Sequence, residues 1–254
     1  MNLHRVRVLE CKTIGEHALL RYEWSGAKPE PGQFVGAKAQ DSSDPFLPRP
    51  FFVHDAGEDE ISLLFKVRGR GTKSLLNGGA HLLASAPRGR GFDLDAPEST
   101  SEDGPAALIG GGVWVAPLKL LSRRLQERRV RHDIFLEAPP GAHGAHGAHD
   151  DYLSWLRLVY PGARMIPTDG SPGTFVAALD GLGGYGPIYV SGDRDTLRRA
   201  GSDREDAQLA VRERMACMDG SCYGCVVPAR SGERMSYERV CVEGPVFRAR
   251  DLVW

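Results

Sequence analysis

The sequence predicts a multi-domain β plus α/β protein. An N-terminal antiparallel β-barrel is followed by a middle parallel α/β nucleotide-binding domain and a small C-terminal lobe that holds a metal centre. Three observations carry this reading. Residues 1 to about 95 are short runs, some alternating, bounded by Gly, Pro and Asp. From Ala106 onward, apolar runs alternate with helical patterns, the mark of a parallel sheet. Four of the five cysteines fall in the last 38 of the 254 residues, with little apolar material around them.

In the first part, HRVRVLECKTI, HALLRYEW, GQFVGAKAQ and EISLLFKV read as strands. GRGTKSLL reads as a turn opening a short helical segment. The acidic, Pro/Ser-rich stretch DLDAPESTSEDGP is a linker and places a domain boundary near residue 98. Beyond it, AALI is a strand, three glycines form a turn, and Leu118, Leu121 and Leu125 recur at helical spacing. HDIFLEA, ARMIPT and PIYVSG continue the strands, with helices over DYLSWLRLVY and TFVAALDGL between them. The expected domains are 1–98, 99–200 and 201–254. GAHGAHGAH at 141–149 repeats His143, His146 and His149. Its glycine-alanine spacing imposes no rigid geometry, which favours a flexible loop over a metal-binding stretch.

The composition is that of a globular chain: 41% hydrophobic, 26% charged and 8% aromatic. The net charge of −1, from 32 basic and 33 acidic residues, argues against a global grip on nucleic acid. No apolar run is long enough to span a membrane as a helix, and the first residues lack the apolar core of a secretion signal. The expected compartment is the cytoplasm, where thiols stay reduced.

Cys217, Cys222, Cys225 and Cys241 follow C-x4-C-x2-C-x15-C. Clustered cytosolic cysteines read as metal ligands sooner than as disulfides. Structural zinc usually takes two C-x2-C knuckles, and only Cys222 and Cys225 form one. Three closely spaced cysteines and a distant fourth match the plant-type [2Fe–2S] pattern, with zinc as the alternative. Gly220 and Gly224 let the loop curl round an anionic cluster and turn N–H groups toward its sulfurs. Cys11 lies on an alternating stretch and reads as a buried strand cysteine.

Two regions suit a nucleotide. Gly110, Gly111 and Gly112 lie between a strand and a helix, where backbone N–H groups favour a pyrophosphate. The strict G-x-G-x-x-G fingerprint is not met, because Val115 takes its third glycine position and Trp114 places a large ring in the turn. Glu137 closes the next strand and reads as a solvated carboxylate sooner than as a ribose ligand. In the barrel, Arg49 of PRPFF can clamp a pyrophosphate with two parallel hydrogen bonds, and Gly71 and Thr72 begin a turn suited to phosphate.

Taken in order, PGQF, RPF, KVxGxGTxxL, GGGVxxAPL and MACxxxxCxGC…VCxxGPVF resemble the electron transfer subunits of the class 1B dihydroorotate dehydrogenases, within the ferredoxin–NADP reductase superfamily. The resemblance implies an FAD-binding barrel, an NAD-binding α/β domain and a C-terminal [2Fe–2S] lobe. It places Arg49, Pro50, Phe51 and Phe52 in the flavin-binding arginine motif, and Leu64, Phe65 and Lys66 on the next flavin-contacting strand. Gly71 and Thr72 match the phosphate-binding Gly-Thr, and the four late cysteines match the cluster ligands. It implies a partner, an FMN-containing catalytic subunit, in a heterotetramer of two catalytic and two transfer subunits. Electrons would run from that FMN through the cluster and FAD to NAD+. Subunits of sulfhydrogenases and of ferredoxin–NAD(P) oxidoreductases share the architecture and are the alternative. Three positions depart from the family. Phe52 replaces a Ser or Thr whose hydroxyl lies near the flavin's reactive nitrogen. Trp114 replaces a glycine, and Ser191-Gly192-Asp193 stands for Cys-Gly-Pro. The last two fall on the nicotinamide side, where binding is expected to be altered.

Overall fold

The computed structural model describes residues 2–40, 44–95, 104–138, 148–169, 174–177, 182–232 and 234–254. The central part of the acidic linker (96–103), together with His143 and His146, lies outside these residues.

Strands β1 (His4–Ile14), β2 (His17–Glu23), β3 (Phe34–Ala39), β4 (Arg49–Ala56), β5 (Glu60–Lys66) and β6 (His81–Ala84) close a barrel in the order β1-β2-β5-β4-β3-β6. Alternation explains the inner face. Ala18, Leu20 and Tyr22 of β2 are fully buried and pack with Val35, Val53 and Leu63. Gly15, at φ +57°, turns β1 into β2 in the left-handed region that glycine adopts without cost. Two strands carried no alternation signal in the sequence. β4 contains Pro50, and its ladder shifts between Val53 and Asp55; β6 is four residues long. Helix α1 (Arg70–Leu76) follows β5 and packs on β3. Cys11 on β1 is half-buried.

The second sheet has six strands in the order β14-β11-β10-β7-β8-β9. These are β7 (Ala106–Gly110), β8 (His132–Ala138), β9 (Arg164–Pro167), β10 (Ile188–Ser191), β11 (Gln208–Ala210) and β14 (Val246–Arg248). All pairs are parallel except β11 with β14. Every residue of β7 is buried, as a central parallel strand covered on both faces requires. Helix α2 (Leu118–Glu127) buries Leu118, Leu121 and Leu125, the predicted stripe. Helix α3 (Ala148–Val159) packs on the same face as α2, and α4 (Thr174–Ala177) and α5 (Arg194–Asp203) cover the other. The cysteines lie between β11 and β14, with an antiparallel hairpin of β12 (Val226–Ser231) and β13 (Arg234–Arg239). By sheet membership this lobe is an excursion from one edge of the parallel sheet.

Barrel and sheet meet through specific contacts. His17 stacks on Tyr152 at 3.7 Å between ring centroids, and Arg123 pairs with Asp55 at 2.8 Å. The His54 Nδ1–H donates to the Ala116 carbonyl at 3.0 Å. Burial, chiefly, holds the His54 ring neutral and pushes its pKa down from 6.5 to about 4; the Ala116 contact opposes this and Lys119 adds to it. The unfolded chain therefore takes up a proton below pH 6.5 that the folded chain refuses until about pH 4. The stability His54 contributes is full above pH 6.5 and is lost as pH falls toward 4. His54→Gln keeps a donor for Ala116 and does not titrate. Denaturant titrations at pH 7 and pH 5 should show its stability loss smaller than the wild type's by about 2 kcal/mol.

Candidate functional sites: a cationic cleft and a cysteine loop

A cleft of about 680 Å³ opens where barrel, sheet and cysteine lobe meet. It brings together nine of the predicted residues: Arg49, Pro50, Phe51 and Phe52 of β4, Leu64, Phe65 and Lys66 of β5, and Gly71 and Thr72 of α1. Arg68, Arg70 and Arg212 also line it. The lining therefore carries five cations and, among the described residues, no carboxylate, which suits a polyanionic ligand. Two of the five are paired from outside: Lys66 with Glu16 at 2.7 Å, and Arg70 with Asp44. The apolar half of the wall is Phe34, Phe51, Phe52, Leu64 and Val211, a surface for a flat ring.

The phosphate end is built by α1. The Thr72 hydroxyl accepts from the N–H groups of Arg68 (2.9 Å) and Gly69 (3.1 Å), so it fixes the turn. The opening N–H groups of a helix have no acceptor within it and remain for a ligand. Arg49 donates to the Leu47 carbonyl at 2.7 Å, and its guanidinium lies directly on Gly71. A Cβ on Gly71 would stand 2.8 Å from the Arg49 Nε.

The glycine triplet is placed differently. None of its members lines the cleft. Gly110 ends β7, and Gly111 leads into a 3-10 turn over Gly112–Val115. A Cβ on Gly111 would lie 2.3 Å from the Glu137 Oε2, and Gly112 has φ +50°. Two tyrosines of the α3 region fasten this turn: Tyr152 donates to the Gly112 carbonyl at 2.8 Å and Tyr160 to that of Val115 at 3.0 Å. The turn delivers Val113 and Trp114 into the cleft. Glu137 is no free loop carboxylate. It is half-buried within β8 and accepts from the Thr168 hydroxyl at 3.0 Å. Ser191 is fully buried at the end of β10, and Asp193 caps α5 by accepting from the Thr196 N–H at 2.8 Å.

The cysteine loop is tightly curled. Met218, Gly220 and Tyr223 all have positive φ, and the two that are not glycine store strain. Arg239 braces the curl: it donates to the Gly220 carbonyl at 3.2 Å, pairs with Glu243 at 2.5 Å, and lies 5.1 Å over the Tyr223 ring. The thiols fall into two pairs. Cys217 Sγ accepts from the Cys222 N–H at 3.4 Å, and Cys241 packs with Cys225 in the buried core of the lobe. Cys225 and Cys241 are buried, Cys217 is half-buried and Cys222 exposed. Cys222 Sγ accepts from the Gly224 N–H at 3.4 Å, as a loop aiming amides at sulfur does. Burial, first, and the neighbouring Cys225 push the Cys241 thiol up to about 12. Cys217 falls to about 7, because the N–H of Asp219 and the Cys222 contacts outweigh its burial. Among the described residues, no three His, Cys, Asp or Glu side chains close on one point as a single ion needs. Two pairs suit a binuclear group, which takes its thiolates two per metal.

Arg212 lines the cleft but carried no sequence signal, because it lies far along the chain from the barrel motifs it joins; Met215, the first residue of the MAC motif, lines it as well. Met215 stands two residues before Cys217, and Pro245, also on the cleft wall, four after Cys241. Two residues of chain reach at most ~7 Å, so cleft and cysteine loop abut.

A barrel beside a parallel nucleotide-type sheet defines the ferredoxin–NADP reductase class of fold. A chain of an NADH-dependent reduced ferredoxin–NADP oxidoreductase superimposes with a TM-score of 0.71 at 19% identity, over 98% of this chain and 90% of that one. Phthalate dioxygenase reductase does so with 0.59 at 14% identity, over 91% and 88%. The iron–sulfur cluster binding domain of dihydroorotate dehydrogenase B matches residues 212–253. The electron transfer subunit of dihydroorotate dehydrogenase B (NAD+) from Bacillus velezensis is 34% identical, over 88% of this chain and 87% of its own. That from Caldanaerobacter subterraneus subsp. tengcongensis is 29% identical over 98% of both. The chain belongs to the family of dihydroorotate dehydrogenase B (NAD+) electron transfer subunits and is an oxidoreductase subunit.

Proposed function

We propose that this chain relays electrons from the FMN of a dihydroorotate dehydrogenase catalytic subunit, by way of a [2Fe–2S] cluster and FAD, to NAD+ in pyrimidine biosynthesis. The observation that carries this is the contact between the cleft and the cysteine loop through Met215 and Pro245. Bound FAD supplies two-electron exchange with a nicotinamide and one-electron exchange with an iron–sulfur cluster. The chain supplies position. Arg49 and the amides of Gly71 and Thr72 hold the FAD pyrophosphate, and Pro50, Phe51, Phe52, Leu64, Phe65 and Lys66 wall the flavin. Cys217, Cys222, Cys225 and Cys241 ligate the cluster. Gly110, Gly111 and Gly112 shape the turn on the nicotinamide side, and no side chain need act as acid or base. Domains 1–98, 99–200 and 201–254 divide these three tasks, with the last lending β11 and β14 to the sheet of the second.

The partner docks where the cysteine loop is exposed. Cys222 reaches solvent; Tyr223 beside it (59% exposed) and Met235 (61%) and Tyr237 (71%) on the hairpin that follows are exposed on the same lobe. Met235 and Tyr237 are two apart on β13 and share a face. Exposed aromatic and Met side chains on one small lobe mark an interface more than a free surface. The assembly is a heterotetramer in the cytoplasm; no helix among the described residues is long and apolar enough to cross a membrane. Met235→Asp/Tyr237→Asp should weaken binding of the catalytic subunit at least tenfold by calorimetry, with iron and flavin contents unchanged.

Phe52 offers the flavin no side-chain hydrogen bond. Phe52→Thr restores the family's hydroxyl, and its oxygen, accepting from the N–H that the reactive nitrogen carries in reduced flavin, should raise the two-electron potential by about 30 mV, the equivalent of one hydrogen bond of about 1.4 kcal/mol. Spectroelectrochemistry checks this. The overall reading is tested by anaerobic co-purification with the catalytic subunit, followed by metal, sulfide and flavin analysis and a dihydroorotate-to-NAD+ assay. A preparation holding zinc in place of iron, or one inactive toward dihydroorotate, would overturn it.

A further inference from the structure

Trp114 stands between two cavities. It lines the large cleft on one side and a pocket of about 50 Å³ on the other, and Val211 and Arg212 share that wall. The small pocket is otherwise bounded by Gly192 and Arg194, where β10 passes into α5, and by the chain's last residues, Leu252 to Trp254. In an open α/β sheet, a nucleotide binds beyond the carboxyl ends of the strands, where the strand order reverses. Here that point lies between β7 and β10, since the chain winds to β8 and β9 on one side and to β11 on the other. The pocket is therefore in the right place for the nicotinamide half of a dinucleotide, and it is the wrong size. A water occupies ~30 Å³ and ligand pockets begin near 300 Å³.

Trp114, with Val211 and Arg212, separates this crevice from the cleft. Its backbone is fixed, because its N–H donates to the Gly111 carbonyl at 2.9 Å within the turn that Tyr152 and Tyr160 fasten. Its ring is held more lightly, by the Arg212 guanidinium 5.5 Å from the ring centroid. Arg212 is itself exposed, so water competes for it and the hold is reversible. We infer that Trp114 is a gate on the nicotinamide side of the flavin cleft, latched by Arg212, and that a nicotinamide ring reaches the flavin only when the indole swings out and joins the two cavities. This rests on the reading of the cleft as the flavin site and of NAD+ as the terminal acceptor.

A closed gate costs the nicotinamide end its binding energy and leaves the ADP-ribose end untouched. Calorimetry on the FAD-loaded complex separates the two with NAD+ and ADP-ribose as probes. Wild-type protein is expected to bind NAD+ no more tightly than ADP-ribose. Trp114→Ala is expected to bind NAD+ at least tenfold more tightly, with ADP-ribose affinity changed less than twofold. Trp114→Phe and Arg212→Gln should shift NAD+ affinity in the same direction by less, and they decide the matter if Trp114→Ala loses flavin. NAD+ affinity unchanged across the variants, or shifted equally with that of ADP-ribose, overturns the gate alone. ADP-ribose binding to none of these proteins overturns the nicotinamide reading of the crevice, and the gate falls with it.

Discussion

Cys225→Ser should remove the iron–sulfur absorption from the visible spectrum while flavin stays near one per chain. Cys225 is 2% exposed and packs in the core with Val227, Val240 and Cys241. Serine has nearly the same shape, so the lobe keeps its packing. A hydroxyl does not supply the thiolate that the cluster requires. Cys241→Ser should behave alike, since the two pack together in the core of the lobe and loss of either leaves the other unable to complete a metal's pair. Cys11→Ser is the control: its half-buried thiol on β1 belongs to the barrel core and should leave iron content unchanged. Iron and acid-labile sulfide analysis reads the first effect. The relay reads the second. Dihydroorotate-driven NAD+ reduction should fall at least a hundredfold, whereas NADH oxidation by an artificial acceptor, which needs the flavin alone, should persist. Full iron content in Cys225→Ser would sink the ligand assignment.

The cysteine loop could be read from the sequence because its motif is local. Three of the four lie within nine residues, and such spacing constrains the chemistry before any fold is known. The barrel was legible for the same reason, since alternation over a few residues reports one buried face. What escaped was non-local or masked by polarity. Helix α5 reads RDTLRRAGSD and buries only Thr196, Leu197 and Ala200; it begins because Asp193 caps it, not because an apolar stripe announces it. The β12–β13 hairpin is polar along much of its length, since one side of it faces solvent. The glycine triplet was legible as a turn, but its direction was not. Only the packing shows that Glu137 fills the space Gly111 leaves and that Val113 and Trp114, not the glycines, enter the cleft. Arg212 joins the site from the segment that leaves β11, a placement that topology decides and spacing cannot.

Gly71→Ala should raise the stability of the flavin-free protein and lower its affinity for FAD. Gly71 lies in helix α1, and its φ is not in the left-handed region, so the backbone tolerates a side chain. Alanine within a helix is favoured over glycine by about 1 kcal/mol, which the apoprotein should gain as a higher denaturation midpoint. The added methyl has one conflict. It would stand 2.8 Å from Nε, 3.2 Å from Cγ and 3.3 Å from Cζ of Arg49. Those atoms belong to a flexible side chain, so relieving the contact costs the fold little. The relief moves the guanidinium off the turn where Arg49 and the α1 amides converge. A charge-assisted contact to phosphate contributes about 1.5–3 kcal/mol, so FAD affinity should fall by about 10- to 100-fold. Arg49→Leu should lose a similar amount, and the double variant no more than the worse single one, because both changes remove one interaction. Fluorescence titration of apoprotein with FAD measures the affinity, and denaturant unfolding without FAD measures the stability. The opposite signs distinguish a ligand contact from a packing defect. A packing defect would lower both quantities, and an Arg49 that merely decorates the surface would leave FAD affinity unmoved.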